Sequence, residues 1–149
     1  MAAFDFTIRE GTTKRILLTG VDANGGPYDY TSSNLYLLVK AKSADAVQAV
    51  GGSPPHFRLE VNGAGGATST PTNRISLGRP NPTDIDGALI DTGATAGYVT
   101  VRFSPSDTIN LVTTAAKIFV WEAKVVTAGA DDYTLGFGTI TVEDSLFDN

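Results

Sequence analysis

Cysteine is absent from the 149-residue chain, which excludes a disulfide framework, a thiolate metal site and a cysteine nucleophile. Histidine occurs once, as His56. A lone histidine cannot build a two-histidine metal site, and no nucleophile is paired with it in sequence, so a plain loop or edge position is expected. Positive charge is scarce. Eleven Lys and Arg against sixteen Asp and Glu leave a net charge of −5, and no basic run supplies the electrostatic footprint of a nucleic-acid binder. Long apolar runs are missing too, the longest being four to six residues, against the roughly 20 that a membrane helix needs. The N-terminus carries Asp5 and no basic region before an apolar stretch, so no signal peptide is read there. The chain is expected to be made in a cytoplasm and to stay soluble, with neither nucleic acid nor membrane as partner.

What the sequence does contain is turn chemistry and alternation. Sixteen glycines and seven prolines punctuate short segments of period two, the period of a half-buried strand. Phe4 to Ile8 alternates, and Lys14 to Thr19 is dense in branched residues. Asp22-Ala23-Asn24-Gly25-Gly26-Pro27 reads as a turn. Leu35 to Lys42 places Leu35, Leu37, Val39 and Ala41 on one face, with Tyr36, Leu38, Lys40 and Lys42 opposite. Gly97 to Phe103 alternates again, and Ser104-Pro105 opens a turn suited to one short helical turn with proline first. Lys117 to Thr127 carries the one tryptophan, Trp121, on a face shared with Phe119, Ala123 and Val125. A hairpin loop at Ala128 to Asp132 leads into Tyr133 to Val142. In that last segment Leu135 and Phe137 fall on one parity and Ile140 and Val142 on the other, which predicts a β-bulge at Gly136 or Gly138.

About seven to nine short strands and hardly a helix predict one all-β domain over residues 1–149, an antiparallel β-sandwich with a small barrel as the alternative. The Gly/Pro-rich stretch 51–82 is read as an insertion: a loop or β-ribbon excursion from the compact core.

Chemistry is hard to place on this pattern. The acid pairs Asp84/Asp86, Asp131/Asp132 and Glu143/Asp144 lie in or beside predicted turns, where aspartate is favoured for its hydrogen bonds to backbone. Asp22-Ala23-Asn24-Gly25 starts like a calcium loop, but Ser33 stands where the twelfth-position glutamate belongs. The glycine clusters near Gly51 and Gly63 lack the strand, helix and Gly-Lys-Ser/Thr of a phosphate loop. No enzyme, cofactor or metal site is expected.

The order of features resembles the immunoglobulin-like N-terminal domain of bacteriophage baseplate and tail-fibre proteins. The matching stretches are Glu10-Gly11-Thr12-Thr13, Asp22 to Thr31, Leu35 to Lys42, Gly97 to Thr108, Lys117 to Val126 and Tyr133 to Val142. They cover roughly two-thirds of the chain and omit its Gly/Pro-rich middle. The resemblance implies an immunoglobulin-like sandwich in a virion structural protein. Because no stalk or receptor-binding module follows Asn149, a free-standing copy is expected: a baseplate or tail adaptor, or a capsid decoration protein. Its partners would be other virion proteins, met as a homo-oligomer or in a symmetric array. Phe4, Phe6, Ile8, Phe57, Tyr28, Tyr30 and Tyr36 are the candidate contact residues, beside the outward aliphatics Leu38, Val120 and Val126. A small carbohydrate-binding module using Tyr28, Tyr30 and Tyr36 is the alternative, and a small hydrolase would require a clustered acid pair in a cleft.

Overall fold

The computed structural model describes residues 3–40, 57–62, 75–84, 88–108 and 116–146. These form ten strands: β1 (Phe6–Arg9), β2 (Lys14–Thr19), β3 (Asn34–Lys40), β4 (Phe57–Asn62), β5 (Ile75–Leu77), β6 (Arg79–Pro80), β7 (Leu89–Ile90), β8 (Tyr98–Phe103), β9 (Lys117–Val126) and β10 (Asp132–Glu143). The single described helical turn is α1 (Pro105–Thr108). Pro105 occupies its first position, and the Asp107 carboxylate accepts from the Ser104 amide at 2.7 Å, so the turn closes on itself. None of the described helices is long and apolar enough to cross a membrane.

The strands make a mixed five-stranded sheet in the order β1-β10-β9-β3-β4, an antiparallel three-stranded sheet β2-β8-β5, and a small β6-β7 hairpin. The chain is mostly β, as its alternation predicts. Two expectations need correction. First, the strands are not all antiparallel: β1 runs parallel to β10, with Phe6 opposite Ile140 and Arg9 opposite Glu143. After β1 the turn at Gly11, with φ 70°, leads the chain into β2 of the smaller sheet, so β1 has no sequence-adjacent strand beside it and pairs instead with the distant β10. Second, the described strands of segment 51–82 do not pair with one another. β4 pairs with β3, β5 with β8 and β6 with β7, so each described strand of the segment joins a different sheet. Residues 51–56 and 63–74 lie outside the described residues.

Alternation puts the core where it was expected. Leu35, Leu37 and Val39 from β3, and Phe119, Trp121, Ala123 and Val125 from β9, are buried. They join Ile16 and Leu18 from β2 and Val99, Val101 and Phe103 from β8 in one apolar cluster shared by the two sheets. The rings of Phe6 and Phe103, one from each sheet, lie 5.6 Å apart. Burial of this apolar surface is the main favourable term for the fold.

A β-bulge is present, but just before the predicted Gly136 or Gly138. The β9–β10 register shifts between Thr134 and Gly136, which makes Leu135 the extra residue. Beyond it Gly136 is buried and Phe137 is turned to the opposite face, 38% exposed. Phe137 is therefore not a core residue, although its parity with Leu135 suggests one. The bulge restores Ile140 and Val142 to the core, as a change of phase requires.

Candidate interaction surface

The outer face of the five-stranded sheet is built by the residues that alternate away from the core. Across the sheet, Phe137 of β10 stands opposite Glu122 of β9, and Glu122 stands opposite Leu38 of β3. One pair along, Val120 stands opposite Lys40. These five side chains line an open groove of about 320 Å³. Its floor is apolar, from Leu38, Val120 and Phe137, while Lys40 and Glu122 put opposite charges beside it. Ile118, on the same face of β9, is 63% exposed. An apolar floor with a charged margin is the usual anatomy of a protein contact. Sequence alternation already directed Leu38, Val120 and Val126 outward. Phe137 was the member that parity misplaced, and only the position of the bulge reveals it.

The seven predicted contact residues are scattered by the fold. Phe6 and Ile8 are buried against the core, as is Tyr30, with 0% exposure. None of these three side chains can meet a partner, and that expectation is corrected. In β1 the alternating residues that looked available are the ones the larger sheet needs inside. Phe4 is 46% exposed and packs edge-on to Trp121. Tyr28 and Tyr36 are half-buried, with Lys124 over the Tyr36 ring at 5.7 Å. The backbone of Phe57 pairs with Val39 at the sheet edge. His56 lies outside the described residues.

Several carboxylates are occupied structurally. Glu143 pairs with Arg9 at 3.4 Å, Asp132 with Lys124 at 3.0 Å, and Asp91 with Arg79. Asp22 caps the 22–26 turn by accepting from the amides of Asn24 and Gly26, and Asp29 accepts from the hydroxyl and amide of Thr31, which holds its pKa below the usual range. Among the described residues no group of three or more His, Cys, Asp or Glu could hold a metal ion.

Tyr30 closes the end of the core where the β2–β3 connection meets the segment before β8. Its hydroxyl donates to the Gly97 carbonyl at 3.2 Å, and its ring lies 4.9 Å from that of Tyr28. Burial, reinforced by Tyr28, pushes its pKa up to about 12. The unfolded chain therefore loses this proton first as pH rises. The stability is fully present below about pH 10 and is lost as pH climbs through about 12, by roughly 2–3 kcal/mol. Urea unfolding at stepped pH should show this loss in the parent protein, and Tyr30→Phe should remove it. An equal loss in both proteins would show that Tyr30 is not its source.

A scan against protein-family models finds no match to this chain. A search of curated proteins finds none either.

Proposed function

We propose that this protein is an immunoglobulin-like β-sandwich serving as a structural component of a bacteriophage virion, acting through protein contacts and without chemistry. The strand order supports the fold: β1-β10-β9-β3-β4 corresponds to the A′-G-F-C-C′ sheet of variable-type immunoglobulin domains, and β2-β8-β5 to B-E-D. The observation that carries the functional proposal is the apolar groove on the outer face of the larger sheet, flanked by Lys40 and Glu122. A surface of this kind suits a neighbouring subunit, while Asp22, Asp29, Asp91, Asp132 and Glu143 are engaged in turns and ion pairs and Tyr30 in the core. The resemblance in sequence favours a baseplate or tail adaptor or a capsid decoration protein, with other virion proteins as partners.

The test is immunogold electron microscopy of particles from the source, with antibody raised against the recombinant protein. Label on tails or baseplates supports an adaptor, and label on heads supports a decoration protein. Unlabelled particles alongside detectable free protein would overturn the virion proposal and make binding to glycan arrays the next measurement.

A further inference from the structure

The smaller sheet ends in the six-residue edge strand β2, and two backbone bonds fix its hydrogen-bonding parity. Gly20 donates its amide to Gly97 at 2.9 Å, and Gly78 donates to Tyr98 at 2.9 Å on the other side of β8. With Ile16 opposite Val101 and Leu18 opposite Val99, the even residues of β2 turn their backbone groups toward β8. Leu17 and Thr19 therefore turn their N–H and C=O groups away from the sheet. Among the described residues no strand lies beyond β2 in that sheet. Leu17, at the middle of the edge, is also 42% exposed.

The other described edges are guarded or short. β1 has four residues and β5 three. The part of β10 that precedes its pairing with β1 is broken by the Leu135 bulge, a common way to blunt an edge. β4 carries the charged residues Arg58 and Glu60 in its sequence. β2 is regular and proline-free, and its charges, Lys14 and Arg15, stand together at one end.

We infer that β2 pairs antiparallel with β2 of a second copy of this chain across a two-fold axis at Leu17, joining the two three-stranded sheets into one of six strands. Self-complementarity selects the partner. In this register Leu17 faces Leu17 on the exposed face, the core residues Ile16 and Leu18 stand opposite each other, and Arg15 faces Thr19, so the exposed apolar pair is covered and no like charges are opposed. The two Arg15 residues then stand about 14 Å apart along the strands, four residues at roughly 3.4 Å each. That exceeds the Debye length of about 8 Å at physiological salt. Moving the axis to Ile16 would halve that separation. Leu17 also carries outward backbone groups, so the central pair is hydrogen-bonded, with its Cα atoms about 5.5 Å apart. The inference is independent of any virion role, because it rests on β2 alone.

Two measurements test it. Sedimentation velocity over a concentration series should show a reversible monomer–dimer equilibrium. Leu17→Lys, which places like charges on the axis at an exposed position, should weaken it at least about tenfold. Circular dichroism checks that the variant folds. Separately, the chain has no cysteine, so Leu17→Cys introduces a single thiol, and the expected Cα separation suits a disulfide. Mild oxidation should give a covalent dimer from Leu17→Cys but not from Ala128→Cys in the exposed loop between β9 and β10. A parent protein that stays monomeric throughout the series would overturn the inference. So would a dimer that a folded Leu17→Lys variant leaves intact, or equal cross-linking of the two cysteine variants.

Discussion

Replacing Tyr30 with alanine is expected to cost about 4 kcal/mol of stability, the usual range for emptying a large aromatic site in a core. Tyr30 is fully buried and is held from several directions. Its amide donates to the Ala94 carbonyl at 2.8 Å, and its own carbonyl accepts from Ser33 at 3.0 Å. Its hydroxyl reaches Gly97 and lies against Gly20 so closely that any side chain at position 20 would collide with it. The backbone bonds survive truncation, whereas the ring that fills the end of the core and the hydroxyl that gives the Gly97 carbonyl its second hydrogen bond do not. For a chain of this length the loss corresponds to a fall in melting temperature of roughly 8–16 °C. Tyr30→Phe keeps the ring and should cost only about 1 kcal/mol, the net worth of one hydrogen bond. Differential scanning calorimetry on both variants separates the two contributions. Equal losses would mean that the hydroxyl, not the packing, holds this end of the fold.

Gly138→Ala is expected to destabilise by about 3 kcal/mol, the upper range for forcing atoms into a packed site, although it adds a single methyl group. That methyl would overlap the Phe4 carbonyl oxygen and lie 2.7 Å from the Phe4 carbonyl carbon. Backbone cannot step aside as a side chain can, and Phe4 is the hinge of the β1–β10 contact. Its amide donates to the Phe137 carbonyl at 2.8 Å, and its carbonyl accepts from Trp121 Nε1 at 3.0 Å. The next residue, Asp5, accepts from the amide of Thr139 at 2.9 Å. Displacing Phe4 breaks these links together and exposes the indole. A melting temperature lower by roughly 6–12 °C should accompany a red shift of Trp121 fluorescence. Phe4→Ala leaves the carbonyl in place and removes a ring already 46% exposed, so it should cost clearly less. If Gly138→Ala melts with the parent protein, β1 is not held at this point.

Alternation made most of the strands and the core legible from sequence. Phe119, Trp121, Ala123 and Val125, like Leu35, Leu37 and Val39, are buried as their period-two spacing requires, because successive strand residues must point to opposite faces. The bulge was equally visible as a change of apolar phase. Its location was not, since Leu135, Gly136 and Gly138 all satisfy the same phase change. Only pairing with β9 places the extra residue at Leu135 and turns Phe137 outward.

The contact surface was much less legible. Tyr28 and Tyr30 look alike in sequence as aromatics near turn residues, and Phe6 and Ile8 look like the face of an edge strand. Which aromatics cap a core, and which meet solvent, depends on segments far apart in the chain. The groove joins Leu38 to Phe137, and Tyr30 is buried by residues around Gly97. Composition and local pattern by themselves determined that the chain is mostly β, where it turns, and which face of each long strand is apolar, because these follow from backbone geometry within a few residues. Tertiary structure alone decided that β1 lies parallel to β10, that β4 and β5 join different sheets, and that no described strand pairs with β2 on its Leu17 side. Those outcomes depend on which non-local strands pair, and pairing energy is a property of two segments together that neither sequence carries alone.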